Sequence, residues 1–220
     1  MKPTNNHLNE WRNALILLRL PFSIFLLPVY LFALVFSNSY AYEVEAAIGL
    51  FLVLHFLVYP ASNGYNSYYD KDTEPIGGLE TPPLPNRKLL YIVNALDVSA
   101  LVLTSFFSFT TMLWTLGYIA ASRAYSGKLR LKKYPILSTI LVTGFQGAGV
   151  YFLTQSGLGI PFSFSPSFII PAFGSTFFLM GAYPLTQIYQ HKPDAERGDL
   201  TLSRMSVSYT HLRAHETVLD

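Results

Sequence analysis

One stretch restricts the fold of this chain more than any other. From Tyr134 to His191 there is no Asp, Glu, Lys or Arg. A soluble core rarely needs so long an uncharged run, whereas crossing the hydrocarbon layer of a bilayer takes about 20 apolar residues. The chain as a whole is 51% hydrophobic and 13% charged, against about 25% charged in an average soluble domain. We therefore expect an all-α, polytopic transmembrane helical bundle.

Apolar segments separated by proline, glycine and polar turns predict about six spans. The predicted spans are 14–36, 44–62, two within 88–123 joined near 105–110, 135–154 and 167–190. The second helix is expected to continue beyond its span until Pro75 and Gly77-Gly78 stop it. The first span exceeds the apolar core of about 7–15 residues found in signal peptides, so we expect it to be retained.

The basic residues lie almost entirely on one side of the predicted spans. They lie before the first span, between the second and third, between the fourth and fifth, and after the sixth. Only Arg19 falls inside a span. The positive-inside rule then places the amino terminus and these loops in the cytoplasm, with a bacterial inner membrane as the expected location. A net charge of +2 is too small to indicate nucleic-acid binding. The lack of cysteine excludes thiol chemistry and Cys-ligated metals.

Polar side chains cluster directly after the second span. Asn66, Asp70 and Glu74 are spaced i, i+4 and i+8, which places them on one face if the helix continues. By the same topology, a basic loop (125–133) and a second acidic run (191–199) share their side of the membrane. Two acidic clusters and one basic cluster suit a Mg²⁺-bridged diphosphate, since Mg²⁺ is held by one or two carboxylates plus phosphates and Lys and Arg neutralise the remaining charge. Taken alone, each cluster is more often a solvated helix end or a lipid-contacting loop than a ligand site.

The order of these motifs resembles one family, the UbiA-type intramembrane prenyltransferases. Asn66-x3-Asp70-x3-Glu74 resembles their first acidic motif, and Tyr125-Ser-x-x-Leu-Arg-Leu-Lys resembles the basic loop after their fourth span. The run from Tyr183 through Asp194-x-x-Arg-Gly-Asp resembles their second acidic motif, and Arg19-Leu-Pro resembles the Arg-x-Pro of their first span. The likeness extends over roughly 15–202.

The resemblance implies a bundle of usually about nine spans, around a cavity open to the cytoplasmic side and to lipid. It implies Mg²⁺-dependent transfer of a polyprenyl group from its diphosphate to an aromatic or other lipophilic acceptor, through an allylic carbocation. Asp70 and Asp194 would be catalytic. The implied metal ligands are Asn66, Asp70, Glu74, Asp194 and Asp199, and the implied diphosphate contacts are Lys128, Arg130 and Arg19. Glu at the third position of the first motif and the irregular second motif depart from the family pattern.

Two further features lie inside the predicted spans. Asp97 stands alone in the third span, and because a carboxylate is costly in lipid we expect it to face the bundle interior. The glycine-rich stretch 144–149 predicts close helix packing.

The end of the chain does not continue the pattern. Residues 207–217 are polar and have no hydrophobic period, and the string can be back-translated into a transposon-end sequencing adapter. We therefore expect a partial prenyltransferase membrane domain over 1–205 and a non-native tail over 206–220, with about three spans missing.

Two other functions and an inactive fragment are the alternatives. A cation-binding transporter requires ionisable groups along a path at mid-membrane depth, for which only Asp97 and Arg19 qualify. A membrane phosphotransferase acting on nucleotide-linked alcohols requires a longer acidic signature, which the sequence lacks.

Overall fold

The computed structural model describes residues 4–37, 44–188, 191–196, 198 and 200–207. Across these residues every regular element is helical, and the one β-bridge joins Ile76 to Leu79. The α-helices are α1 (Thr4–Ile16), α2 (Leu27–Val35), α3 (Val44–Val53), α4 (Tyr59–Asp70), α5 (Arg87–Phe107), α6 (Phe109–Ser126), α7 (Pro135–Gly144), α8 (Val150–Gly157), α9 (Pro166–Gln187) and α10 (His191–Glu196).

Five helical segments are long and apolar enough to cross a membrane: Leu8–Val35, Val44–Asp70, Arg87–Phe107, Pro135–Gly157 and Pro166–Leu185. The predicted all-α membrane bundle is thereby confirmed. Helix α6, which supplies the remaining predicted span, is not among the five. Its 18 residues extend about 27 Å at 1.5 Å per residue, and its polar residues Ser122, Arg123 and Ser126 contact other helices of the bundle.

Helix α4 ends at Asp70 rather than at Pro75. Lys71 adopts a left-handed conformation with φ of 52°, and its N–H donates to the Ser67 carbonyl at 3.1 Å. Pro75 also disfavours helical geometry at the preceding residue, Glu74. The prediction of a common helical face is therefore correct for Asn66 and Asp70, and wrong for Glu74.

Three irregular segments interrupt the spans. A 3-10 helix, Leu20–Leu26, begins after Arg19, whose φ of 49° is left-handed. Two π-helical segments, Leu54–Val58 and Phe145–Gly149, join α3 to α4 and α7 to α8. Irregular backbone at membrane depth is tolerated where it is covered by protein or lines a cavity, and residues within or directly after each segment line the cavity described below.

The glycine-rich stretch packs directly on α9, as expected. A Cβ on Gly147 would lie 2.6 Å from the Cα of Thr176, and the N–H of Ala148 donates to Thr176 Oγ1 at 3.0 Å. The absence of a side chain therefore sets how closely the two helices approach.

Candidate active site

A cavity of about 960 Å³ opens among the ends of α4, α6 and α9, the 3-10 helix and α10. This volume lies at the upper end of the range for small-molecule sites, about 300–1,000 Å³. The cavity is therefore large enough for an extended apolar ligand.

Helix α4 supplies one wall of the cavity. Tyr59, Asn63, Asn66 and Asp70 all line it, and their spacing of four, three and four residues places them along one helical face. Asp70 lies about 16 Å from Tyr59 along the axis at 1.5 Å per residue. The wall thus changes from carboxylate and amide groups at the end of the helix to an aromatic ring at its start.

The Asp70 carboxylate is held from two sides. Lys132 Nζ donates to Oδ1 at 2.5 Å, and Asn66 Nδ2 donates to Oδ2 at 2.8 Å. Asn66 Nδ2 also donates to Ser126 Oγ at 2.9 Å. Asp70 and Lys132 are both buried, so their charges neutralise each other inside the protein.

Arg19 lies at the same end of the cavity. Its guanidinium donates from Nη2 to the Asn63 carbonyl at 3.4 Å and lies 5.2 Å from the centre of the Phe22 ring. It also interacts electrostatically with Asp72 and Asp70. A second cation is therefore placed beside the acidic end of α4.

The second acidic segment contributes Asp194 of α10, which is buried and lines the cavity. Gln187 and Thr201 also line the cavity, and Thr201 Oγ1 is buried without a hydrogen-bond partner among the described residues. The hydroxyls of Tyr183 and Tyr125 lie 2.9 Å apart and join α9 to α6.

The structure brings together part of the predicted site. Asn66, Asp70, Asp194 and Arg19 line the one cavity. The other predicted positions are Glu74, Lys128 and Arg130, which do not line it, and Asp199, which lies outside the described residues. Most of the predicted non-native tail, 208–220, also lies outside them.

The three predicted residues away from the cavity have other surroundings. Glu74 accepts from Lys192 Nζ of α10 at 2.6 Å, and this contact raises the pKa of Lys192 above its usual value. Lys128 is exposed, whereas Arg130 is partly buried with a left-handed φ of 47°. Their ligand roles remain predictions.

Lys132 is the site residue that the sequence did not single out. The basic loop offers Lys128, Arg130, Lys132 and Lys133, and the residue that turns inward depends on the left-handed Arg130 and the 3-10 turn Leu131–Lys133. Because non-glycine residues rarely adopt a positive φ, local propensity does not predict that Lys132 is the residue of this loop that turns inward.

The donors present fit a magnesium ion that is completed by a substrate. In the described part of the chain, no group of three His, Cys, Asp or Glu side chains converges closely enough to hold a metal unaided. Asp70, Asp194 and the Asn66 amide supply oxygen ligands around one cavity, and Mg²⁺ commonly takes one or two carboxylates plus phosphate and water oxygens.

Comparison with known proteins identifies the family of the chain. A curated relative, the probable homogentisate phytyltransferase 2, chloroplastic, of Oryza sativa subsp. japonica, is 31% identical over 113 residues. The match covers 49% of the chain and 28% of the relative's own length. No solved structure matches the chain. Residues 17–215 match the UbiA prenyltransferase family, and the chain therefore belongs to the UbiA prenyltransferase family.

Proposed function

We propose that this chain carries the diphosphate site of an enzyme that transfers a polyprenyl group to a lipophilic acceptor in a Mg²⁺-dependent reaction. The observation that carries the proposal is a single cavity with two functionally different ends. Carboxylates from α4 and α10 lie with Lys132 and Arg19 at one end, and mostly apolar and aromatic side chains line the rest.

The charged residues divide into two roles. Lys132 and Arg19 supply cations for the diphosphate oxygens, while Thr201 Oγ1 is a buried donor in the cavity wall. Asp70 and Asp194 are the carboxylates for Mg²⁺. When bound, Mg²⁺ would neutralise charge on the diphosphate and so make it a better leaving group.

Asn66 is oriented for a ligand role by its hydrogen bonds. Its Nδ2 donates to both Asp70 and Ser126, which uses both amide hydrogens. The amide oxygen is then the atom that serves as a metal ligand. Ser126 and Asp70 thus fix which way the amide points.

The apolar wall suits the prenyl chain and the reacting carbon. Tyr118, Phe145 and Leu179 line the cavity away from the acidic end. Such a surface excludes water, which would otherwise intercept a reactive allylic cation. The name of the relative, a homogentisate phytyltransferase, supports an aromatic acceptor.

The acidic end is proposed to face the cytoplasm. The support is the distribution of Lys and Arg, which are absent from the loops on the other side of the predicted spans. The proposed location is a bacterial inner membrane.

The test is Asp70→Asn in the full chain, reconstituted into lipid nanodiscs with Mg²⁺, geranylgeranyl diphosphate and a panel of phenolic acceptors. We expect the variant to lose Mg²⁺-dependent diphosphate release and prenyl transfer. The matched control is Glu45→Gln, an exposed carboxylate in the first turn of α3, at the other end of the same span. Unchanged turnover in Asp70→Asn would refute the site assignment.

A further inference from the structure

A charged pair lies inside the bundle but outside the cavity wall. Asp97 of α5 and Arg123 of α6 form an ion pair, and their side chains are 13% and 21% exposed. Asp97 therefore faces a neighbouring helix, as predicted. Well-packed apolar residues often replace a buried ion pair without loss of stability, so the energy of packing α5 on α6 does not by itself explain the pair.

The Arg123 guanidinium also reaches a third helix. Its Cζ lies 3.9 Å from the centre of the Tyr65 ring on α4, within the range of a cation–π interaction. A Cβ on Gly127 would lie 2.7 Å from the Tyr65 hydroxyl, so the end of α6 packs directly on this ring. One side chain therefore joins α5, α6 and α4.

The residues held in this way are next to the candidate active site. Tyr65 immediately precedes Asn66, and Arg123 lies one helical turn before Ser126. The hydrogen bond from Asn66 Nδ2 to Ser126 Oγ, 2.9 Å long, crosses from α4 to α6. Its geometry depends on the relative position of the two helices, which Arg123 and Tyr65 fix.

We propose that the Asp97–Arg123 pair is a positioning element for the diphosphate site. Asp97 orients Arg123, and Arg123 fixes the position of Tyr65 and of the end of α6. Ser126, at that end of α6, then holds the Asn66 amide in the orientation in which it also donates to Asp70. The proposal rests on the proposed function, because the affected ligand is the Mg²⁺–prenyl diphosphate pair. Asp97 itself lies outside the cavity lining and acts only through these contacts.

The first experiment measures Mg²⁺-dependent binding of geranylgeranyl diphosphate to the full chain in nanodiscs, alongside thermal stability. Asp97→Asn is expected to weaken binding roughly 10-fold or more, the size seen when groups behind metal ligands are changed. Tyr65→Leu removes the stacking but keeps the ion pair, and is expected to weaken binding less. The control Glu10→Gln removes the 2.7 Å pair between Glu10 and Lys88, which joins α1 to α5, and should leave affinity unchanged.

The second experiment restores the helix position by another route. The chain has no cysteine, and the Oγ atoms of Ser62 on α4 and Ser122 on α6 lie 2.8 Å apart. In the Asp97→Asn background, Ser62→Cys with Ser122→Cys allows a disulfide to fix α4 to α6. The oxidised protein is expected to bind geranylgeranyl diphosphate more tightly than the same protein after reduction.

The outcomes separate this inference from the proposed function. Wild-type affinity in both Asp97→Asn and Tyr65→Leu would overturn the positioning role, even if the melting temperature falls, and so would equal affinity of the oxidised and reduced forms. If Asp97→Asn does not fold, Tyr65→Leu decides. Failure of the wild-type chain to bind geranylgeranyl diphosphate with Mg²⁺ would overturn both proposals.

Discussion

Replacing Lys132 by methionine tests the electrostatics of the candidate site directly. The side chains of Lys132 and Asp70 are 5% and 2% exposed, so the pair belongs with buried ion pairs rather than with surface pairs, which contribute about 0–1 kcal/mol. Removing one partner of a buried pair costs about 3–5 kcal/mol, because the other charge stays buried and uncompensated. Asn66 still donates to Asp70 Oδ2, which favours the lower end of this range.

The expected loss can be measured as a melting temperature. For a domain of this size, 1 kcal/mol corresponds to about 2–4 °C, so Lys132→Met should melt about 6–20 °C below the wild type when far-ultraviolet circular dichroism follows unfolding. Mg²⁺ without substrate should stabilise the variant more than the wild type, since the metal then binds Asp70 without displacing an ammonium group.

A double variant supplies the control. Lys132→Met with Asp70→Asn removes both charges and should recover most of the lost stability, because no buried charge is left unpaired. If Lys132→Met melts with the wild type, or if the second substitution lowers stability further, the conclusion that this pair is buried and mutually neutralising is wrong.

Three further predictions concern helix packing, the role of Glu74 and the orientation in the membrane. Gly147→Ala should destabilise the bundle, because its Cβ would lie 2.6 Å from the Thr176 backbone. Gly144→Ala, whose Cβ would have no neighbouring atom within 4 Å, should be nearly neutral in the same thermal assay. Equal effects of the two substitutions would contradict the close-packing argument. Glu74→Gln should weaken Mg²⁺-dependent binding of geranylgeranyl diphosphate less than Asp70→Asn does, because Glu74 lies outside the cavity lining and pairs with Lys192. A loss of affinity as large as that of Asp70→Asn would restore the predicted ligand role of Glu74. An amino-terminal epitope tag should be protected from protease in intact bacterial cells and cleaved in inverted membrane vesicles, and the reverse pattern would refute the proposed orientation.

The sequence predicted the main architecture because lipid imposes strong constraints on it. Uncharged stretches long enough to span a bilayer can form few structures other than helices, and helical spacing placed Asn66 and Asp70 on one face. The joint location of Asp70, Asp194 and Arg19 followed from motif order and charge distribution. Apolar length, helical spacing, motif order and charge distribution can all be read directly from the sequence.

The remainder depended on backbone geometry that the sequence does not reveal. The left-handed residues Arg19, Lys71 and Arg130 are not glycines, so propensity gives no warning of them. Lys71 ends α4 early and removes Glu74 from the helical face, and Arg130 precedes the turn that buries Lys132. Tertiary packing determines the conformation of Lys71 and of Arg130. For this reason the sequence predicted the acidic helix α4 better than it predicted the basic loop 125–133.

The two hydrogen bonds from the Asn66 amide explain why the first motif begins with asparagine rather than with the stronger anionic ligand aspartate. An aspartate at this position would put a carboxylate oxygen where Nδ2 lies, 2.8 Å from Asp70 Oδ2, and two like charges at that separation resist joint ionisation. One carboxyl group would then hold a proton until a cation arrived, so metal binding would be coupled to pH. The neutral amide avoids this coupling at the proposed metal site.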